Sequence, residues 1–368
     1  MPVARCVHPC QAAPPLLPSG VTDHEEAGMA IGWAIVSTGR HPDQKMVPAI
    51  NAAADSEIAA VVSRDLERAR AFADKHGARR AYDDFDRMLG DPDVQVVYIA
   101  SPNALHADQA TRAAAAGKHV FVEKPMALTV ADCERMIAAA RDAKTQLGVG
   151  FHLRTHPGHQ RLREIVRGGG LGRIALATAA WNRGTRGQAA PPPRPPRQQW
   201  WEDPALAGAG VFMATGVHCC DLLAYVLGKE ITHVAAMTDA NDASPLEELV
   251  AMLLRFEDGS VATLTTSRRV PDWTDNGISV HGSDGRGSVR RGIDVNLTGE
   301  LEIATNADSS RERYDDDPIA LYRREVEAFN DAVRGLGEPA ATGADGLRAA
   351  RVTVAMVESH RGGRTVRI

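Results

Sequence analysis

The chain has 368 residues, of which 44% are hydrophobic and 24% charged, and a formal net charge of −5. That length exceeds one ordinary core and suits two domains of common size. The acidic balance excludes a broad phosphate-binding surface and with it nucleic acid, and no apolar run reads as a membrane span. The five cysteines, Cys6, Cys10, Cys133, Cys219 and Cys220, are odd in number and lack framework spacing. A reducing cytoplasm is therefore expected.

Residues 1–28 read as a disordered tail. Pro14, Pro15 and Pro18 break its apolar stretch, so it is no secretory segment. Cys6, His8 and Cys10 lack the second ligand pair that zinc needs. Met29, just ahead of the first strand, is an alternative start of translation.

From there strands and helices alternate. Residues 31–37 form an apolar run that ends in a turn. Residues 46–54 read as a helix, 57–63 as a strand, and 66–76 as a helix closed by Gly77. The series continues with a strand at 94–100, a helix at 106–116, a strand at 119–123, a helix at 130–143 and a strand at 146–151. This pace means βαβ units and a parallel sheet, whose ligands sit beyond the carboxyl ends of the strands. The expected first domain spans residues 29–151.

The second domain, 152–368, has a different pattern. Apolar alternation at 173–181, 250–256, 260–267 and 277–282, with a hairpin-like turn at Phe256-Glu257-Asp258-Gly259, predicts an antiparallel sheet. The fold class is thus an α/β domain followed by an α+β domain. Residues 183–201 are rich in Pro and Arg and read as a long loop beside the substrate pocket. Helices near 321–333 and 347–358 are expected to pack back on the first domain.

The chemistry-bearing residues fall at strand ends. Ser37-Thr38-Gly39-Arg40-His41-Pro42 occupies the first strand-to-helix turn, where a dinucleotide pyrophosphate needs close backbone approach and free N–H groups. Only the central glycine of the G-x-G-x-x-G pattern is present. Ser63 and Arg64 close the second strand. An arginine there suits the 2′-phosphate of NADP, and NAD is the alternative cofactor. Ser101, Asn103 and His106 follow the next strand and are expected to face the cofactor. Glu123-Lys124-Pro125 ends the strand after that, and places Lys124 to meet a substrate oxygen. Trp200 and Trp201 are positioned to stack on a sugar ring or to enter the core. His152, His156 and His159 approach metal-ligand spacing, but Pro157 interrupts them and no carboxylate completes a set, so no metal is expected. Cys219 and Cys220 read as small core residues.

Several motifs together resemble the glucose–fructose oxidoreductase / inositol dehydrogenase / rhizopine catabolism family, Gfo/Idh/MocA. They are Ala100-Ser101-Pro102-Asn103-Ala104-Leu105-His106, the run from Ala116 to Glu123-Lys124-Pro125, Gly150 to Pro157, and Gly216-Val217-His218-Cys219-Cys220-Asp221. The resemblance covers roughly residues 31 to 368. It implies a Rossmann domain joined to an open-faced, mainly antiparallel sheet, and a homodimer or homotetramer built through that sheet. It also implies an NAD(P)-dependent oxidoreductase that moves hydride between nicotinamide and a hydroxyl or carbonyl carbon of a sugar-like or cyclitol-like substrate. By position, Lys124 resembles the catalytic lysine and His218 the acid/base histidine, whose ordinary pKa near neutrality suits proton exchange. Arg154 resembles a residue lining the substrate cleft, and Ser63 with Arg64 matches an NADP-preferring branch. Two departures stand out. Ser37 and Pro42 damage the glycine fingerprint, and Ala214 stands where the family has an aspartate. Asp221, one turn beyond His218, could supply the missing carboxylate. NAD-assisted elimination or glycoside cleavage without net redox change, or a redox-silent ligand-binding relative, are the alternative readings.

Overall fold

The structure is a computed structural model that describes residues 30–368 apart from 186, 188–192 and 272–274. The tail, with Cys6, His8 and Cys10, and Pro191 of the Pro-rich loop lie outside the described residues.

The first domain is a six-stranded parallel sheet. Its strands are β1 (Ile31–Val36), β2 (Ser56–Val62), β3 (Arg80–Tyr82), β4 (Val96–Ile99), β5 (His119–Val122) and β6 (Leu147–Val149), in the order β3-β2-β1-β4-β5-β6. The order reverses between β1 and β4, so a crevice opens beyond their carboxyl ends. Every residue of β1 is buried, as expected of a sheet covered on both faces. Helices α1 (Val47–Ala52), α2 (Leu66–His76), α3 (Phe85–Leu89), α4 (His106–Ala115) and α5 (Val130–Ala143) supply those covers. α2 begins on Asp65, whose side chain accepts from the Arg68 amide, and ends on Gly77 in a left-handed C-cap. The first helical stretch starts earlier than predicted. A π turn, Pro42–Met46, precedes α1 and continues it back to the phosphate-type loop.

The second domain packs α6 (Pro157–Arg167) and α8 (Val217–Leu227) against a nine-stranded sheet, while the short α7 (Pro204–Ala207) lies against the turn at Asn103–Leu105 of the first domain. Its strands are β7 (Ile174–Asn182), β8 (Ile231–Thr238), β9 (Leu249–Phe256), β10 (Val261–Ser267), β11 (Gly277–Gly282), β12 (Gly285–Arg290), β13 (Thr298–Thr305), β14 (Ser309–Asp315) and β15 (Val366–Arg367), in the order β14-β13-β12-β11-β7-β10-β9-β8-β15. All pairs are antiparallel except β7 with β10. β9 alternates between buried and outward-facing residues, so one face of the sheet carries the core and the other is open. The helical stretch Pro204–Leu227 is long and apolar enough by composition to cross a membrane, contrary to the sequence reading. It is 89% buried inside the fold, as a core helix is.

α9 (Ala320–Val333) and α10 (Gly343–Gly362) return to the first domain. Phe329 of α9 packs its ring 5.7 Å from Trp33 and 5.1 Å from Phe121, fully buried on one face of the parallel sheet. Tyr98 completes this aromatic core. Phe329→Ala should therefore cost about 3–5 kcal/mol through loss of burial and an unfilled cavity. Urea denaturation measures it; a loss under 1 kcal/mol would mean that α9 does not hold the first domain.

Candidate active site

Four strand ends meet at the crevice: Ser37–Gly39 after β1, Ser63–Arg64 after β2, Ala100–Ser101 after β4 and Glu123–Lys124 after β5. Ser37 has φ +113°, a backbone region that favours glycine. The first fingerprint glycine is gone, yet its backbone shape persists. A serine there stores on the order of 1–3 kcal/mol of strain. Part of this is offset by its hydroxyl, which accepts from the Gly39 amide at 3.2 Å. A Cβ at Gly39 would meet only Ser37 Oγ and Pro42 Cδ, at 3.3 and 3.9 Å, so the space over the loop stays open. Thr38 is buried, and Arg40 opens the helical stretch. Ser63 is buried at its strand end, whereas Arg64 is exposed. Among the described residues no side chain pairs with the Arg64 guanidinium. The Ser37 amide donates to the Val62 carbonyl and the Gly39 amide to Ser37, which leaves the amides of Thr38 and Arg40 for a pyrophosphate and a cation at the ribose end, a fit to a dinucleotide.

Glu123 is the electrostatic centre of the site. His41 Nε2 lies 3.0 Å from its Oε1, and the Tyr98 hydroxyl donates to the same oxygen at 3.0 Å. Burial alone would raise its pKa, but His41, Lys124 and Tyr98 outweigh burial and hold it down at about 2. The Lys124–Pro125 peptide is cis. Lys124 Nζ donates to the carbonyl of Ala214 at 3.1 Å. The residue in the aspartate's place thus still touches the lysine, through its backbone. Burial lowers the Lys124 pKa, Arg183 adds to the push, and Glu123 opposes it.

A file of rings crosses the floor of the cleft. His41 meets Tyr322 at 5.2 Å, Tyr322 stacks on His152 at 4.9 Å, His152 meets His218 at 4.7 Å, and His218 meets Trp181 at 5.2 Å. His218 is 2% exposed and its Nδ1 has no hydrogen-bond partner. Burial, then the Lys124 charge, pushes its pKa well below the usual value. The expectation of an ordinary histidine near neutrality is corrected: burial and the Lys124 charge both favour the neutral imidazole.

A second π turn, Phe212–Gly216, leads into α8 and sets where His218 points. Buried Glu247 anchors its start, accepting from the amides of Gly210 and Phe212 at 2.9 and 3.0 Å. Only glycine fits at 210, because a Cβ would lie 2.0 Å from the Glu247 carbonyl oxygen.

Other expected site residues are engaged elsewhere. The Arg154 guanidinium makes two bonds to Asp221, at 2.8 and 2.6 Å, and a third to Asp345 at 3.0 Å. It is a buried structural ion, so neither Arg154 nor Asp221 is open to substrate, and Asp221 does not reach His218 to replace the aspartate. Asn103 is buried and donates to the Ala207 carbonyl at 2.9 Å. His106 is a buried strut between the carbonyls of Pro125 and Ser101, at 2.8 and 2.9 Å. His106 thus ties the segment after Lys124 to the turn after β4, and Asn103 ties that turn to α7, so both side chains are engaged by protein rather than facing a cofactor. Ser101 donates to Gln109 at 2.6 Å. Trp200 and Trp201 stack on each other at 4.4 Å, half-buried, with Trp201 against the core. His152, His156 and His159 each meet a backbone carbonyl, of Asp294, Thr298 and Leu153, at 2.8–3.0 Å.

Residues 31–151 match the family model described as an oxidoreductase family with an NAD-binding Rossmann fold, and residues 159–288 match the GFO/IDH/MocA C-terminal domain. The chain belongs to the GFO/IDH/MocA oxidoreductase family. It is 30% identical over 342 residues to the 1,5-anhydro-D-fructose reductase of Ensifer adhaerens, covering 91% of this chain and 98% of that one. It is also 30% identical over 357 residues to the myo-inositol 2-dehydrogenase of Thermotoga maritima, covering 92% and 97%. The aldose-aldose oxidoreductase of Caulobacter crescentus, solved with glycerol, superposes with a TM-score of 0.81 at 28% identity, covering 92% of this chain and all of that one. In this GFO/IDH/MocA member, folding gathers His41, His152, Trp181, Arg183 and Tyr322 around Lys124 and His218. Sequence reading gave none of these five a place in the site, although His41 lies in the fingerprint turn, His152 shares a spaced set with His156 and His159, and Arg183 opens the Pro- and Arg-rich loop.

Glu123 also sets a pH dependence. Its pKa falls from 4.5 to about 2 on folding, so its stabilisation is complete above about pH 5 and is lost as pH falls through about 2. The stability gap between wild type and Glu123→Gln should be widest near neutrality and shrink towards about pH 2. Denaturation midpoints across pH read it; a constant gap would contradict the buried charge.

Proposed function

We propose that this oxidoreductase prefers NADP and acts on a hydroxyl or carbonyl carbon of a sugar-like or cyclitol-like substrate. The observation that carries the reading is the buried Lys124 ammonium at the carboxyl end of β5, next to the switch point of a parallel sheet and near enough to His218 for its charge to act there. The relatives named above act on an anhydro sugar, on inositol and on aldoses, which supports the substrate class.

The nicotinamide nucleotide, when bound, supplies or accepts the hydride. Ser37, Thr38, Gly39 and Arg40 receive its pyrophosphate at the start of the first helical stretch. Ser63 and Arg64 take the ribose end, and a guanidinium there pairs with a 2′-phosphate. Ser101 and Glu123 border the cofactor. Lys124 holds the reacting oxygen and, with its pKa lowered, exchanges the proton with it. Neutral His218 hydrogen-bonds the same oxygen; a charged imidazolium is disfavoured by burial and by the Lys124 charge. Trp200 and Trp201 offer an apolar wall to a sugar ring. Buried free Cys133, Cys219 and Cys220 suit a cytoplasmic enzyme. The open sheet face, where Leu176, Met237 and Leu253 are exposed, is the surface through which copies pair as a homodimer or homotetramer.

NADPH should bind more tightly than NADH, and Arg64→Asp should reverse the order. Nucleotide fluorescence titration decides it, and equal native affinities would exclude the 2′-phosphate role. Lys124→Ala should leave nucleotide affinity intact and lower kcat by roughly a hundredfold or more, since it removes a group acting where charge develops. Steady-state kinetics at saturating NADPH measures this; an unchanged kcat would remove Lys124 from the chemistry.

A further inference from the structure

Arg183 follows β7 directly and stands at the mouth of the cleft. Its guanidinium lies over the Trp181 ring, 5.7 Å from the centroid, and that ring lies 5.2 Å from His218. The Arg183 charge acts on Lys124, His218 and Tyr322 together, lowering the proton affinity of each. It is exposed, and no described residue hydrogen-bonds or ion-pairs with its guanidinium. Neighbouring arginines differ. Arg268 pairs with Glu248 at 2.9 Å and Arg269 with Asp239 at 3.2 Å. The nearest cleft carboxylate, Glu123, is already taken by His41 and Tyr98. Asp294, on the far side, acts on Lys45 and Tyr322. Lys124 and Arg183 therefore repel each other; Glu123 offsets the charge of Lys124, while no described carboxylate pairs with Arg183. Such a field concentrates anions in the cleft. A planar guanidinium on an indole face presents its fork to a carboxylate.

We propose that Arg183 is a specificity-determining residue that pairs with a carboxylate on the substrate. The substrate class is then a sugar or cyclitol acid, such as a uronate or aldonate, in place of a neutral polyol. One indole separates Arg183 from His218, its ring 5.7 Å from the guanidinium and 5.2 Å from the imidazole, and the proposed pose sets the oxidised carbon at Lys124 and the carboxylate at Arg183. A single unpaired cation matches the single charge of a carboxylate better than a phosphate dianion. The proposal rests on the oxidoreductase reading above.

The test begins with NADPH fluorescence titration, which examines the nicotinamide reading alone. NADP-dependent oxidation is then compared within matched pairs, D-glucuronate with D-glucose and D-galacturonate with D-galactose, with D-glucose 6-phosphate as a phosphate probe. Calorimetric binding of the same compounds to the NADPH-loaded enzyme gives a second measure. The acid should exceed its neutral partner by at least about tenfold in kcat/KM or affinity. Arg183→Gln should collapse that ratio by a similar factor, mainly through KM, and Arg183→Lys should restore part of it. An acid no better than its neutral partner by both measures, a ratio unmoved in Arg183→Gln, or a preference for the phosphate overturns the proposal. If NADPH binds and only neutral sugars turn over, this proposal falls and the oxidoreductase reading stands. If NADH alone binds, the same comparison is run with NAD; if neither nucleotide binds, both readings fall.

Discussion

The buried guanidinium of Arg154 sits where the turn after β6, helix α8 and the start of α10 converge. It satisfies a carboxylate on each helix, Asp221 and Asp345. Asp345 also closes the capping box of α10 with Thr342. A charge so enclosed is stable only with its partners in place. The three segments are thereby tied at one point, which fixes α8 and so His218 relative to the strand ends of the first domain. The cleft chemistry depends on that tie, although none of its members faces the cleft.

Much of the fold was legible because long elements repeat their signals. α2 and α5 fall at their expected bounds, where Asp65 and Thr129 cap the starts and Gly77 ends α2. β3 and α3 went unseen, since three and five residues are too few to show a period. α6 was hidden by Pro157, which reads as a breaker but stands at the first turn of a helix, where proline is tolerated. β13 and β14 carry mostly half-exposed and exposed residues, so they show no apolar alternation.

The site was legible where chemistry sits at a strand end, as with Lys124 and Glu123, and illegible where it depends on contact across the chain. His41 meets Glu123 and Tyr322 only after folding. Arg154, Asn103 and His106 carry polar groups at suggestive places, yet each is buried against a protein partner that the sequence does not reveal. The preference of His218 for its neutral form follows from surroundings that three separate segments supply: Phe151 and His152, Trp181, and Lys124. A motif predicts the residue type and leaves its charge to packing.

The two π turns flank the cleft, one before α1 and one before α8. A π turn holds one residue more than the α turn it replaces, and each helical residue advances the screw by about 100°. Excising a single residue between 212 and 216 would remove that surplus and let the segment close as an ordinary α turn, with the later side chains of α8 kept in phase. Excising one inside α8, between His218 and Asp221, meets no surplus to absorb it and would turn Asp221 by about 100° away from Arg154. The π turn is therefore the place where this chain tolerates a change of length, and the helix beyond it is not.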